Sequence, residues 1–198
     1  MNLIFLGPPG VGKGTQAKLI CDHFVITHLS TGDMLRTEIN NESDIGKTAK
    51  SFIDQGALVP DEVLLNIIDS RLSDSNVQNG YLLDGFPRTI PQAEGLNDIL
   101  KNNSQKLDAV VSLTANENEL IERLIKRGLD SGRSDDTPEI IKQRQEVYWK
   151  QTSPLVNFYN EEIKVRKNLN CTPYSKFVNL SFSSKSREKV VEDVYFAL

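Results

Sequence analysis

The sequence predicts an α/β fold in which five parallel strands form one open sheet flanked by helices. Three observations lead there. Short apolar runs at residues 2–6, 25–29, 81–83, 109–113 and 177–180 alternate with stretches patterned as helices. The first run is continuous rather than alternating and stops at Gly7-Pro8-Pro9-Gly10, as expected of a strand buried on both faces. The 198 residues suffice for one domain of ordinary size, or one core domain carrying small insertions, and not for two cores; about three in ten are Leu, Ile, Val or Phe, above the roughly 20% that marks disorder.

The elements follow in order. After the first strand and its glycine-rich turn, residues 16–20 read as helix. Between the second and third strands the pattern is helical. Ile45, Ala49, Phe52 and Ile53 recur at helical spacing, residues 56–60 break the run, and Val63, Leu64, Ile67, Ile68 and Leu72 resume it, which predicts a small helical insertion. Residues 114–127 read as one helix, with Asn116 as N-cap, Leu120, Ile121, Leu124 and Ile125 facing the core, and Gly128 as the stop. Residues 128–136 are polar and read as a flexible loop. Thr137-Pro138 then supplies an N-cap and a first-turn proline for a helix running toward Ser153-Pro154. No internal repeat or low-complexity tract interrupts the chain.

Composition narrows the partners. With 23 basic and 27 acidic residues the net charge is −4, so no global field draws the chain to nucleic acid or to an anionic membrane. Any anion it binds must be met by a local cluster. The two cysteines, Cys21 and Cys171, form no framework, which suits a reducing compartment. The apolar run at residues 3–6 is far too short for a membrane span or signal core, so a cytoplasmic location is expected.

Residues 7–15, GPPGVGKGT, lie between a buried strand and a helix, the setting of a phosphate-binding loop. Glycines let successive backbone N–H groups converge on phosphate oxygens, the next helix presents its positive end, and Lys13 adds a full charge. Gly14 stands where a magnesium-ligating hydroxyl is usual, with Thr15 one place later, so metal would be held largely through water.

Only nine residues are arginine, and their placement is uneven. Arg123 and Arg127 are four apart on one helix and share a face, Arg133 falls in the polar loop and Arg144 on the helix after it. Planar guanidinium forks suit clustered phosphates and the charge a phosphoryl transition state spreads over its equatorial oxygens. Taken singly, these arginines fit equally well as helix cations paired with Glu119, Glu122 or Asp136. Asp84 closes the third strand at its carboxyl edge, where ligands of open sheets bind and Mg²⁺ finds an acidic partner. Cys21, His23 and His28 lack a fourth ligand and a shared face, and read as packing and surface residues rather than a zinc site.

Four segments in this order, GPPGVGKGT at 7–15, LSTGDMLR at 29–36, DGFPRT at 84–89 with Gln92 beyond it, and GRSDD at 132–136, resemble the adenylate kinases over residues 1 to about 160. The resemblance implies a P-loop NTPase core from residues 1–29, 61–127 and 137–198, a helical NMP-binding insertion at 30–60 and a short lid at 128–136. It implies phosphoryl transfer from ATP to AMP, giving two ADP, in adenine nucleotide homeostasis, by a monomer. By it, Gly10, Val11, Gly12, Lys13, Gly14 and Thr15 would hold the ATP phosphates and Arg123 would stack on the ATP base. Thr31 would lie against the AMP adenine. Arg36 and Arg88 would clamp the AMP phosphate, Ala57, Leu58 and Val59 would offer backbone contacts beside Gly85, Phe86 and Pro87, and Gln92 would read the adenine edge. Arg127, Arg133 and Arg144 would close on the transferring group, with Lys13, Arg88 and Asp84 also catalytic. Mg²⁺ would come with ATP, held through nucleotide and water with Asp84 a candidate protein partner, and the five residues between Arg127 and Arg133 leave no room for a zinc-bound hairpin. Residues 183–186 would lie over the ATP adenine. A CMP or UMP kinase is the near alternative; Thr31, Thr89 and Gln92 favour adenine. A nucleotide-binding switch without transfer chemistry is the more distant one.

Overall fold

The computed structural model describes residues 1–131, 133–168 and 176–181, the side chains of 163–168 and 181 excepted; the expectation for residues 183–186 lies outside the described residues. All five strands are present and all are parallel. They are β1 (Asn2–Leu6), β2 (Thr27–Ser30), β3 (Tyr81–Asp84), β4 (Ala109–Thr114) and β5 (Lys176–Ser181), in the spatial order β2-β3-β1-β4-β5. Leu3, Ile4, Leu82, Leu83, Val110 and Val111 are inaccessible to solvent, because helices cover both faces of the sheet. One apolar cluster on each face makes the core.

The chain leaves β1 to one side for β2 and β3 and to the other for β4 and β5, so the turn after β1 opens at the point where strand order reverses. Phe5 is in register with Asp84, and Asp84 with Ser30, so three strands end level at the same edge.

The helices are α1 (Lys13–Phe24), α2 (Thr31–Asn40), α3 (Asp44–Ile53), α4 (Asp61–Leu72), α5 (Ile90–Asn102), α6 (Glu117–Ser131), α7 (Pro138–Val147) and α8 (Leu155–Asn168). Their starts obey local rules. Ser30 and Ser43 accept from Asp33 N and Gly46 N, Thr89 from Gln92 N, and Thr137 from Ile140 N, each filling a first-turn donor that lacks an intrahelical partner. Asn116 Oδ1 likewise accepts from Asn118 N at 3.0 Å.

Three boundaries differ from the sequence reading. Val25 is not in β2; it caps α1 in the left-handed region at φ 53°, and the strand starts at Thr27. Thr114 belongs to β4, and α6 does not stop at Gly128 but runs to Ser131, so the polar segment is helix at first and ends in a 3-10 turn at Ser134–Asp136. A Cβ on Gly128 would meet Asp136 O at 2.8 Å, so this glycine admits a neighbouring backbone rather than ending a helix. Finally, Ile125, expected to face the core, is 39% exposed, as Ile45 of the helical pattern is at 40%; the buried apolar faces narrow to Ala49 in α3 and to Leu120 and Leu124 in α6.

Candidate active site

The loop leaving β1 is pressed between two neighbours. A Cβ on Gly7 would meet Leu113 O of β4 at 2.6 Å, and one on Gly10, at φ +86°, would meet Leu120 O of α6 at 2.7 Å. Close approach and the positive φ both require glycine at position 10. Lys13 folds over its own loop, donating from Nζ to Gly7 O at 2.6 Å and Pro8 O at 3.1 Å. Burial lowers its pKa to about 8; Asp84 pulls the other way, and Arg88, Arg144 and Arg127 push further down. Val11 is fully buried, while Gly14 and Thr15 are exposed in the cleft above the sheet edge.

The segment after β3 forms the opposite wall. Asp84 is 8% exposed, and its Oδ2 lies 3.3 Å from His28 Nε2 and 3.5 Å from where a Cβ on Gly14 would sit. His28 pairs in register with Leu82, which makes Asp84 its diagonal neighbour on the same face of the sheet. His28 is therefore a cleft residue beside the loop, not the packing or surface residue that its local sequence suggests. Thr31 Oγ1 donates to Gly85 O at 2.9 Å, fastening the start of α2 to this wall. Arg88 is sunk in the structure, with Nε donating to Gly85 O at 2.7 Å; burial lowers its pKa to about 10, Arg144 adds to the shift and Asp84 opposes it.

Two residues of this segment do not face the cleft. Phe86 is fully buried in the core, beside the cis peptide to Pro87. Gln92 is also fully buried, and both ends of its amide are engaged: Oε1 accepts from Arg88 N at 2.7 Å and Nε2 donates to Asp61 Oδ1 at 2.7 Å. An amide and a carboxylate on opposite sides fix which end is which. Gln92 thus ties the backbone of Arg88 to Asp61.

The arginines gather around two aspartates. Arg127 grips Asp136 with Nε and Nη2 at 2.6 and 2.7 Å, while Arg144 Nη1 bonds Asp136 Oδ1 at 2.7 Å, Asp135 Oδ2 at 2.9 Å and Asp135 O at 2.8 Å. Burial would raise the Asp136 pKa, but the hydrogen bond and charge of Arg127, with Arg144 and Arg133 behind them, hold it below the usual carboxylate range. Arg123 pairs with Glu119 at 3.1 Å on the exposed face of α6, and Arg36 with Asp33 at 2.5 Å. The Arg133 side chain makes no hydrogen bond or ion pair among the described residues, while its carbonyl accepts from Asp136 N at 3.3 Å. Its pKa is lowered by burial first, then by Arg36 and Arg127.

The insertion and the short lid meet. Ser134 Oγ lies 3.5 Å from Asp54 Oδ1 at the end of α3, and a Cβ on Gly56 would meet Arg144 Cγ at 3.1 Å. Ala57 and Leu58 line the approach half-buried and Val59 is buried. Within the described residues, Lys13, Arg36, Asp84, Arg88, Arg123, Arg127, Arg133 and Arg144 border one cleft across the carboxyl ends of β1, β2 and β3. The sequence reading did not single out Asp33, which pairs with Arg36 on its own helix, nor Asp61 and Asp135, whose partners Thr89 and Gln92 and Arg144 meet them only after folding.

A glycine-framed loop with a half-buried lysine, facing arginines from three other elements, suits ligands that bring several phosphate groups together. The comparisons agree. The family model described as adenylate kinase matches residues 5–164. The chain is 49% identical over 161 residues to an adenylate kinase of a Cyanothece species, covering 81% of this chain and 83% of that protein. It is 51% identical over 158 residues to one from Prochlorococcus marinus, with 80% and 82% covered, and 49% over 164 residues to one from Bacteroides thetaiotaomicron, with 83% and 87% covered. The chain belongs to the adenylate kinase family.

Proposed function

We propose that the protein transfers the terminal phosphoryl group of ATP to AMP, reversibly, giving two ADP, and so balances the adenine nucleotides. The observation that carries this reading is that Lys13, Arg88 and Arg144 border one cleft, with Lys13 and Arg88 half-buried and the pKa of each lowered by desolvation and by neighbouring arginines. Such a concentration of cations is costly when empty and is offset when phosphate oxygens arrive.

In this reading residues 30–60 bind AMP, residues 128–136 are the lid and the remainder is the core. Backbone groups of Gly10, Val11, Gly12, Gly14 and Thr15, with Lys13, take the ATP phosphates, and Arg123 the ATP base. Arg36 and Arg88 hold the AMP phosphate, near Thr31, the Ala57, Leu58 and Val59 strip and the Gly85, Phe86 and Pro87 backbone. Gln92 fixes Arg88 and, by exchanging its Asp61 bond, reads adenine. Arg127, Arg133 and Arg144 surround the group in flight, where charge spreads over three oxygens. The lid approaches the insertion where Ser134 meets Asp54, and closure there over bound nucleotides would keep water from the transfer path.

Asp84 suits the outer shell of Mg²⁺: one carboxylate at the foot of the phosphate loop, with His28 behind it, fits an ion that keeps several waters. Mg²⁺ brought with ATP would neutralise phosphate charge. Thr15, exposed in the cleft, stands near enough in sequence to share that role. We place the protein in the cytoplasm as a monomer; no described helix is long and apolar enough to cross a membrane.

The test is a coupled assay with ATP and Mg²⁺ across AMP, CMP, UMP and GMP. AMP should be the preferred acceptor. Preference for CMP or UMP would move the protein to the pyrimidine kinases, and ATP hydrolysis indifferent to any acceptor would overturn transfer altogether.

A further inference from the structure

Gln145 lies on α7 next to Arg144, is 4% exposed, and donates from Nε2 to Pro9 O at 3.2 Å. Besides the two bonds from Lys13, this is the one side-chain hydrogen bond that reaches residues 7–12 among the described residues. Its other end is idle: Gln145 Oε1 is buried with no hydrogen-bond partner among the described residues. A buried acceptor left unpaired opposes folding, and Met or Leu would fill the same space without it. Packing therefore does not account for an amide here.

The Pro9 carbonyl shares its peptide unit with the Gly10 N–H. That peptide is trans, since the one cis bond is at Phe86-Pro87, so the carbonyl and the N–H point in opposite directions. Anchoring the oxygen toward α7 turns the Gly10 N–H away from α7. Gly10 itself offers no resistance to rotation, because at φ +86° a glycine exchanges easily with other conformers. Rotated by half a turn, this peptide would aim a carbonyl where the loop needs a donor, and a carbonyl oxygen repels phosphate.

We propose that Gln145 is a positioning residue that locks the Pro9-Gly10 peptide in its donor-inward orientation, so that the loop is ready for the ATP phosphates before they bind. The inference rests on the phosphate-binding reading of residues 7–15. It also couples the loop to Arg144: one turn of α7 holds the loop carbonyl through Gln145 and the lid aspartates through Arg144. Loss of the amide leaves the loop's residues in place but divides them between two peptide orientations, only one of which accepts phosphate.

The test uses Gln145→Met and Gln145→Leu in the full chain, with MgATP and AMP affinities measured separately by calorimetry, thermal melting of the empty protein, and the Gly10 amide followed by NMR. Both variants should bind ATP about tenfold more weakly, the scale of one lost amide–carbonyl bond. They should bind AMP as the wild type does, melt at the same temperature or higher, and show a shifted or broadened Gly10 signal. A merely structural role would instead lower melting and both affinities together, and that result overturns the proposal. So do variants that bind ATP within twofold of a wild type that binds it well. A wild type that binds no ATP overturns the phosphate-binding reading itself, a different outcome.

Discussion

Arg127 and Asp136 form a two-point pair, with both guanidinium donors within 2.7 Å of the two carboxylate oxygens, and the Asp136 side chain has no exposed surface. Because Arg144 shares Oδ1, one carboxylate ties α6 to α7. Asp136→Asn keeps the shape but halves the acceptor capacity. It should cost about 1.5–3 kcal/mol of stability, read by urea unfolding. The sign with pH follows from the depressed Asp136 pKa: the contribution is present above the unfolded carboxylate pKa of about 4 and is lost as pH falls through the lower folded value. The wild type should thus converge on the variant in acid; a gap that persists there would show the pair contributes nothing.

Lys13 carries a second pH signature. Its folded pKa, about 8, lies below its unfolded value of 10.5, so the unfolded chain binds more protons between these limits and stability from this group rises with pH across them. Phosphates entering the loop restore the charge. MgATP binding near pH 8.5 should therefore take up a proton, visible as a dependence of calorimetric heat on buffer ionisation enthalpy. Lys13→Met should abolish that uptake together with most turnover; a variant retaining a tenth of wild-type activity, a loss of ~1.4 kcal/mol in transition-state stabilisation, would remove Lys13 from the chemistry.

Gly46 is where α2 and α3 touch. A Cβ there would collide with the backbone of Glu38 and Ile39, and a main chain cannot step aside as a side-chain tip can. Gly46→Ala should push the two helices apart and cost about 1–3 kcal/mol. Since Arg36 lies on α2, AMP affinity should fall while ATP affinity holds. Equal loss for both nucleotides would mean that residues 30–60 do not act as a separate AMP site.

Val25 offers the opposite change. It is 73% exposed and β-branched, yet sits at φ 53° while Ile26 N bonds Cys21 O at 3.1 Å in the six-to-one closure that usually ends on glycine. Val25→Gly should raise stability by roughly 0.5–1 kcal/mol, relief of backbone strain exceeding the added unfolded-state entropy. A lower denaturation midpoint would show that Val25 is not strained.

What the sequence could and could not say divides along the range of the cause. The strands are legible because burial on both faces writes an unbroken apolar run, and the loop at residues 7–15 because its needs are local. Gly128 misled, since a helical glycine can mark an end or an approaching backbone, and only Asp136 folded against it decides. His28 misled because metal-ligand spacing tests neighbours along the chain, whereas its partner Asp84 arrives through strand register. Gln92 was legible only in part, because its amide, apt for a base, also engages Arg88 N and Asp61, partners that no local pattern announces.

The net charge of −4 and the cationic cleft act on an approaching nucleotide at different distances. At low ionic strength a nucleotide tens of ångströms away meets mostly repulsion, and attraction takes over only near the cleft mouth. At about 0.15 M salt the screening length is about 8 Å, which erases the distant repulsion before it weakens contact between phosphate and guanidinium. Moderate salt should thus hasten capture rather than slow it, the reverse of the behaviour of a protein whose whole surface steers its ligand.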